Sequence, residues 1–229
     1  MPPSATEPTP EPDVPTDVGT EPDDPTDTAT DPDAETETGE DYRDAVLPGA
    51  RWRGRGFVRC EFTEADLRGL DVSGCTFDHC DFTRADLGEA VFRSSAFRSC
   101  TFHRTTLAGA SWTGCSLLGS TLTECGLRSV TLTDCDLTLA VIAGSVLRGL
   151  DLSGLRLREA SLIGADLRTA NLRDSDLTGA RLAEARLADA DLRGARLDAT
   201  ALRTADLTGA HVDVDTAIAF AAAHGLVVH

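Results

Sequence analysis

From Ala50 onward the chain repeats one five-residue phrase. A large apolar residue stands at every fifth position from Trp52 to Val212, and all 33 of these centres are Trp, Phe, Leu, Ile or Val. Two residues before each centre stands a small one. It is Ala, Cys, Ser, Thr or Val in 29 of the 33 units, with Arg55, Leu70, Leu150 and Leu155 as the exceptions. The other three positions are mostly polar, charged or Gly, and no insertion breaks the frame. A helix repeats every 3.6 residues and a strand every two, so a period of five fits neither. Each unit points one large and one small side chain inward, which leaves room for a narrow packed interior. Such a unit has no core of its own and gains one by stacking on its neighbours, which is the signature of a solenoid.

The residue types refine this expectation. Seven of the eight Phe are centres between Phe57 and Phe102, and Leu dominates afterwards. The pattern predicts a stacked aromatic core in the N-terminal part and a leucine core in the C-terminal part. All seven Cys (Cys60, Cys75, Cys80, Cys100, Cys115, Cys125 and Cys135) fall on the small inward position. Structural zinc sites pair their ligands at short spacings such as C-x2-C, and none occurs here. The cysteines therefore read as small buried hydrophobes, and no metal or cofactor is expected.

Charge divides the chain. Residues 1–45 hold 15 acids and a single Arg, so they supply most of the net charge of -17. This stretch is Pro, Thr, Asp and Glu with almost no large apolar side chain. It cannot bury enough surface to offset its ordering entropy, and residues 1–48 are predicted to be a disordered acidic tail. The tail reads either as a solvating segment or as an arm for a basic partner surface. No apolar run is long enough to span a membrane, no secretory leader pattern is present, and the cysteine count is odd. The expectation is a cytoplasmic protein with reduced thiols.

At the other end, DVDTAIAFAAAHG reads as a short helix, with Asp213 or Asp215 as N-cap and Gly225 as the stop. A solenoid end exposes unpaired edges and must be covered. Ile218, Phe220, Ala221 and Ala222 make this helix apolar over more than one side. Residues 215–229 are therefore predicted to be both a cap and a dimer interface. Leu118, Leu139, Val141, Val146 and Ile163 fall at outward positions and hint at a further apolar patch. None of the five His (His79, His103, His211, His224, His229) falls beside an inward Ser or Cys, no phosphate loop appears, and the interior is expected to be filled. The chain reads as non-enzymatic.

Units such as ADLRT, ANLRD, ADLRG and ADLTG follow the pattern A-[DN]-L-x-x, and the chain resembles the pentapeptide repeat proteins. The stretches SAFRSCTFHRTTL, LRGLDLSGLRLREASL and HVDVDTAIAFAAAHGL are similar to the mycobacterial fluoroquinolone-resistance branch of that family. The resemblance implies an all-β fold, a right-handed quadrilateral β-helix over residues 49–214 with four units per turn and about eight turns. At the usual strand spacing it would be about 40 Å long. It also implies a homodimer through the C-terminal segment that mimics duplex DNA and binds DNA gyrase, without binding nucleic acid or membrane itself. The acidic tail, and the lack of projecting loops, depart from what some relatives show.

Under this reading the gyrase contacts are the outward acids Asp134, Asp136, Asp151, Asp166, Asp174, Asp176, Asp189, Asp191, Asp206 and Asp213. Charge alone does not lead there. Residues 46–129 sum to +1 and residues 130–215 to -4, and Arg is interleaved with the acids throughout. Either the acidic end is doubled by a second copy, or the tail adds long-range attraction. The plainer alternative is that each outward Asp caps its own turn. The alternative function is a non-enzymatic scaffold that recruits another partner through the tail.

Overall fold

The computed structural model describes residues 35–228. The residue before each centre pairs in parallel with its counterpart 20 positions later, as in Asp66 with Asp86, Asp86 with Thr106, and Asp151 with Asn171. Four units therefore complete one turn, and the chain forms a four-sided β-solenoid of about eight turns. The corners follow from backbone chemistry. Every described residue with positive φ, Gly225 apart, stands two places after a centre. In the closed corners the next N–H donates back to the centre's carbonyl, as from Ala65 to Phe62 (3.2 Å) and Ala165 to Leu162 (3.1 Å). A positive φ confined to the third residue makes these type II turns. Gly fits without strain at Gly154, but Leu139 (φ 61°) and Thr169 (φ 58°) adopt the same conformation. Each such non-Gly corner costs about 1–2 kcal/mol, which the regular ladder of backbone hydrogen bonds offsets.

The inward positions build the core as the pattern predicts. Tyr42, Phe62, Phe82 and Phe102 stack face to face on successive turns, with centroids 4.8–4.9 Å apart. Phe57, Phe77 and Phe97 form a second column, and Phe92 stacks on Trp112. Buried leucines from Leu157 to Leu192 continue the interior. The small positions have a second task. Their hydroxyls and thiols donate to the centre carbonyl 23 residues earlier, as Thr105 does to Phe82 (2.7 Å), Ser145 to Leu122 (3.0 Å) and Cys80 to Phe57 (3.4 Å). Six of the seven cysteines are buried and Cys125 is half-buried.

The solenoid begins earlier than expected. Thr36–Thr38 pairs with Gly56–Val58, so residues 36–48 belong to the first turn and not to a tail. The rest of the predicted disordered tail, residues 1–34, lies outside the described residues. Glu37 occupies a centre opposite Phe57. Its carboxylate accepts from the Tyr42 hydroxyl and pairs with the Arg55 guanidinium. That guanidinium lies 5.1 Å from the Phe57 ring centroid. A charged lid thus closes the aromatic end, and Arg55 is an exception at the small position because it holds the lid.

The ladder also departs from the sequence frame near its far end. Ala199–Leu202 forms a 3-10 helix, although Leu202 stays buried. The terminal helix α1 spans Val214–Ala223, one residue before the predicted segment. Asp213 is its N-cap residue, but the carboxylate makes no cap bond. It accepts from the Gly194 N–H instead (2.5 Å), and Asp198 does the same for Gly179 (3.1 Å). In most other turns such N–H groups meet a backbone carbonyl, as Gly164 meets Ala183 (2.9 Å). Carboxylates thus finish the ladder where the backbone leaves it.

Mid-solenoid, one half-turn is open. Leu122 donates to the Val141 carbonyl (2.8 Å) and Leu137 to Arg156 (2.7 Å), but among the described residues no ladder bond joins residues 124–134 to residues 143–153. The cause is in the sequence. Val130 and Leu150 occupy the small position on consecutive turns of one column, between Ala110 and Ala170. Leu70 in the same column sits between Ala50 and Ala90, and its ladder is intact. One oversized residue between alanines is absorbed, whereas two in succession overpack the corner and spread it. Beside this seam lies an apolar cavity of about 30 Å³, lined by residues that include Trp112, Leu127, Val130, Leu150 and Leu155. The interior is therefore not completely filled, contrary to expectation, and a cavity of such lining stays dry. No helix among the described residues is long and apolar enough to cross a membrane.

Candidate functional site

Six of the ten candidate acids stand immediately before a centre. Asp136, Asp151, Asp166, Asp176, Asp191 and Asp206 each accept the backbone N–H two residues on, at 2.9–3.3 Å. This is an Asx turn, in which a short carboxylate satisfies the local backbone. Where the unit reads Asp-Leu-Arg, the guanidinium closes on the same carboxylate in a two-pronged grip. Arg168 holds Asp166 at 2.7 and 2.5 Å, and Arg193 holds Asp191 at 2.9 and 2.6 Å. Fork geometry of this kind is the strong form of ion pair. Arg168 keeps the Asp166 carboxyl down at about 2, and Arg193 holds Asp191 well below the ordinary range. Arginines of the adjacent turn add to this, Arg156 on Asp136 (3.2 Å), Arg158 on Asp176 (3.3 Å) and Arg173 on Asp191 (3.3 Å). These six acids are ionised, but much of their charge is matched.

Asp134, Asp174 and Asp189 are different. They stand at corners with φ of 53°, 57° and 59°, exposed, and with no side-chain hydrogen bond or ion pair among the described residues. Gly194 and Gly209 lie in the next turn beneath Asp174 and Asp189, and a Cβ at either glycine would collide with the carboxylate. Asp213, the tenth, is engaged with Gly194.

The acids do not share one side. Asp136 and Asp176 lie on the face of Leu137 and Leu177, and Asp166, Asp189 and Asp206 on the face of Leu167 and Leu187. The face of Leu132, Leu152, Leu172 and Leu192 carries the other five: Asp134, Asp151, Asp174, Asp191 and Asp213. Asn171 bridges upward there, donating to Asp151 at 2.9 Å, and Arg173 and Arg193 interrupt the row. Asp134 and Asp174 occupy the same corner two turns apart, on opposite sides of the open half-turn.

Helix α1 covers the last turn loosely. None of its residues is buried. Phe220 is half-buried, facing Leu202, Leu207 and Val212 across a small gap, with its ring 4.1 Å from that of His224. Ala221 is half-buried, Ala222 is exposed and Ile218 is 44% exposed. Val214, Leu226, Val227 and Val228 extend the exposed apolar surface. Sequence reasoning passed over these four, although the Leu-Val-Val run after the stop glycine is a visible signal. The mid-chain apolar residues form no single patch, because Leu118 and Leu139 lie on one face, Val141 and Ile163 on the next and Val146 on a third. No group of three or more His, Cys, Asp or Glu among the described residues is arranged to hold a metal ion. His229 lies outside the described residues.

Comparison with known proteins places this geometry. The family described as pentapeptide repeats matches residues 60–98, 100–138, 135–174 and 170–209. Full-length QnrB1, a plasmid-mediated fluoroquinolone resistance protein, has a solved structure that is 25% identical. It superposes with a TM-score of 0.62 over 84% of this chain and 98% of its own. A trypsin-treated form of QnrB1 gives 25% identity and 0.60 over 86% and 99%. HetL, a pentapeptide repeat protein of heterocyst differentiation regulation from the cyanobacterium Nostoc, is 26% identical with a TM-score of 0.38, over 77% and 86%. No curated protein sequence matches the chain.

Proposed function

The chain belongs to the pentapeptide repeat family, and from that premise we propose that it is a DNA-mimicking ligand of DNA gyrase that modulates the enzyme and shields it from fluoroquinolones or a similar poison. The observation that carries this reading is the likeness to QnrB1, a fluoroquinolone resistance protein, along 84–86% of this chain and nearly the whole of that one. The protein binds and does not catalyse.

A topoisomerase grips duplex DNA through Arg and Lys that neutralise a regular line of phosphates. On this chain the unmatched carboxylates of Asp134, Asp174 and Asp189 supply the attraction, exposed on corners of the solenoid. Asp151 and Asp191 extend the row on the richest face. The tightly paired Asp166 and Asp176 serve mainly to fix the turns. A homodimer through Ile218, Phe220 and the exposed Val214, Leu226 and Val227 would double the set, and apolar surface at a chain end supports it. Light scattering reads that step, where Ile218→Glu gives a monomer.

The experiment is a gyrase supercoiling and DNA-cleavage assay with a quinolone. It titrates the full chain, a variant lacking residues 1–34, and the triple variant Asp134→Asn, Asp174→Asn, Asp189→Asn. Full chain and truncation are expected to lower the cleaved complex equally, and the triple variant to need about tenfold more protein. If the full chain neither changes supercoiling nor cleavage, the gyrase reading is wrong. If only the truncation is inactive, residues 1–34 and not the repeat acids carry the mimicry.

A further inference from the structure

The open half-turn leaves both edges of the ladder unpaired in the middle of the solenoid. On its lower lip the N–H groups of Glu124, Leu127, Ser129, Leu132 and Asp134 have no acceptor, and on its upper lip those of Val146 and Asp151 have none. The carbonyls that would have met them are left over as well. Between the lips runs a groove of about 560 Å³ lined by Cys125, Gly126, Leu127, Ser129, Val146 and Leu150, among others. Arg128 and Arg148 flank it at equivalent positions of consecutive turns, both exposed, and neither has an ion-pair partner among the described residues. Gly126 contributes no side chain on the lower lip, which leaves that backbone open to approach.

Each feature selects the same kind of occupant. Alternating free donors and acceptors along an edge bind extended backbone, the mode in which a peptide adds a strand to a sheet. Two neighbouring guanidiniums repel each other and are relieved by carboxylates between them. The half-buried Cys125 and Leu150 give alternate side chains an apolar floor. We propose that this seam is a docking site for an extended acidic segment of a partner protein, taken by strand addition on one side of the solenoid, between residues 125–129 and residues 146–150. The inference goes beyond the gyrase reading and does not depend on it, because its variants at Arg128, Val130, Arg148 and Leu150 change none of the candidate acids.

The test uses the full chain and a short fluorescein-labelled peptide that alternates Glu with Val and Thr, read by fluorescence anisotropy. Saturable binding is expected. Arg128→Gln with Arg148→Gln should weaken it about tenfold, through loss of two charge-assisted contacts. A peptide with Pro at alternate positions lacks half the backbone donors and should not bind. Val130→Ala with Leu150→Ala is expected to restore the ladder and abolish binding, with its melting midpoint checked to show that it folds. No saturation, equal binding of the Pro peptide, or indifference to both double variants would overturn the proposal and leave the seam a flexible joint only.

Discussion

A single unit shows why the phrase Ala-Asp-Leu-Arg recurs. In residues 165–168 the alanine fits the narrow interior, the leucine fills the axis, Asp166 caps the turn and Arg168 grips the cap. Asp166 was legible from the sequence as an outward acid, and turn capping was the plainer alternative for it. The structure adds that the cap is reinforced by the arginine two residues on, which is why charge counts along the chain nearly cancel. Removing the carboxylate tests this. Asp166→Ala loses the Asx hydrogen bond and the ion pair, about 1 kcal/mol and a fall in Tm of about 2–4 °C for a chain of this size. The effect depends on pH in a fixed sense. The Arg168 guanidinium holds the folded carboxyl down at about 2, below the ordinary Asp value of about 4. Its stabilisation is therefore full above the unfolded value and lost as pH falls through the folded one. Melting curves of wild type and Asp166→Ala should differ at pH 7 and converge as pH drops from 4 towards 2. A gap independent of pH would show that the carboxylate is not what holds the turn.

Stacked units make an element whose strength varies along its length. The aromatic columns from Tyr42 to Phe102 and the leucine core from Leu157 to Leu192 were both readable from the centres, because a period of five assigns each residue to the inside or the outside without a fold in hand. The seam was not read, although its cause is in plain view. In the five-residue frame Leu150 and Leu155 stand out as exceptions and Val130 counts as small, and only the 20-residue pairing reveals that Val130 and Leu150 are stacked. Local opening should concentrate where ladder bonds are missing and apolar contacts are few. Cys125 reports on it, since it borders the groove and is the one half-buried thiol of seven. Burial pushes that thiol up to about 11. Only the thiolate reacts, so alkylation of Cys125 should be slow at pH 7 and rise about tenfold per pH unit. It should still precede every other cysteine, as read by mass spectrometry of the labelled chain. Labelling of Cys80 or Cys100 ahead of Cys125 would place the weak point elsewhere.

Across the whole solenoid the two ends are closed by different means, and this decides where it can be cut. The C-terminal end uses a helix and two carboxylates, Asp198 and Asp213, that stand in for backbone carbonyls. The N-terminal end uses Glu37, which binds Tyr42 and Arg55 over the aromatic columns. Composition alone puts residues 36–48 with the acidic stretch, because a lone Glu at a centre breaks the apolar count and the first turn has only Tyr42 and Leu47 to announce it. A truncation of residues 1–34 keeps the contacts of Glu37 with Tyr42 and Arg55. A truncation of residues 1–45 removes Glu37 and Tyr42 together. It leaves Arg55 over Phe57 without its carboxylate and uncovers the Phe62 face on which Tyr42 stacks 4.8 Å away. Loss of a stacked aromatic partner and stranding of a partly buried charge together cost several kcal/mol, about 3–5 by the usual scale of large core deletions. Because each turn is held only by its neighbours, the damage should propagate from that end. Denaturant melts are therefore expected to superpose for the full chain and the shorter truncation, and to show an early, separate transition for the longer one. Equal stability of both truncations would mean that Glu37, Tyr42 and Arg55 decorate the end without closing it.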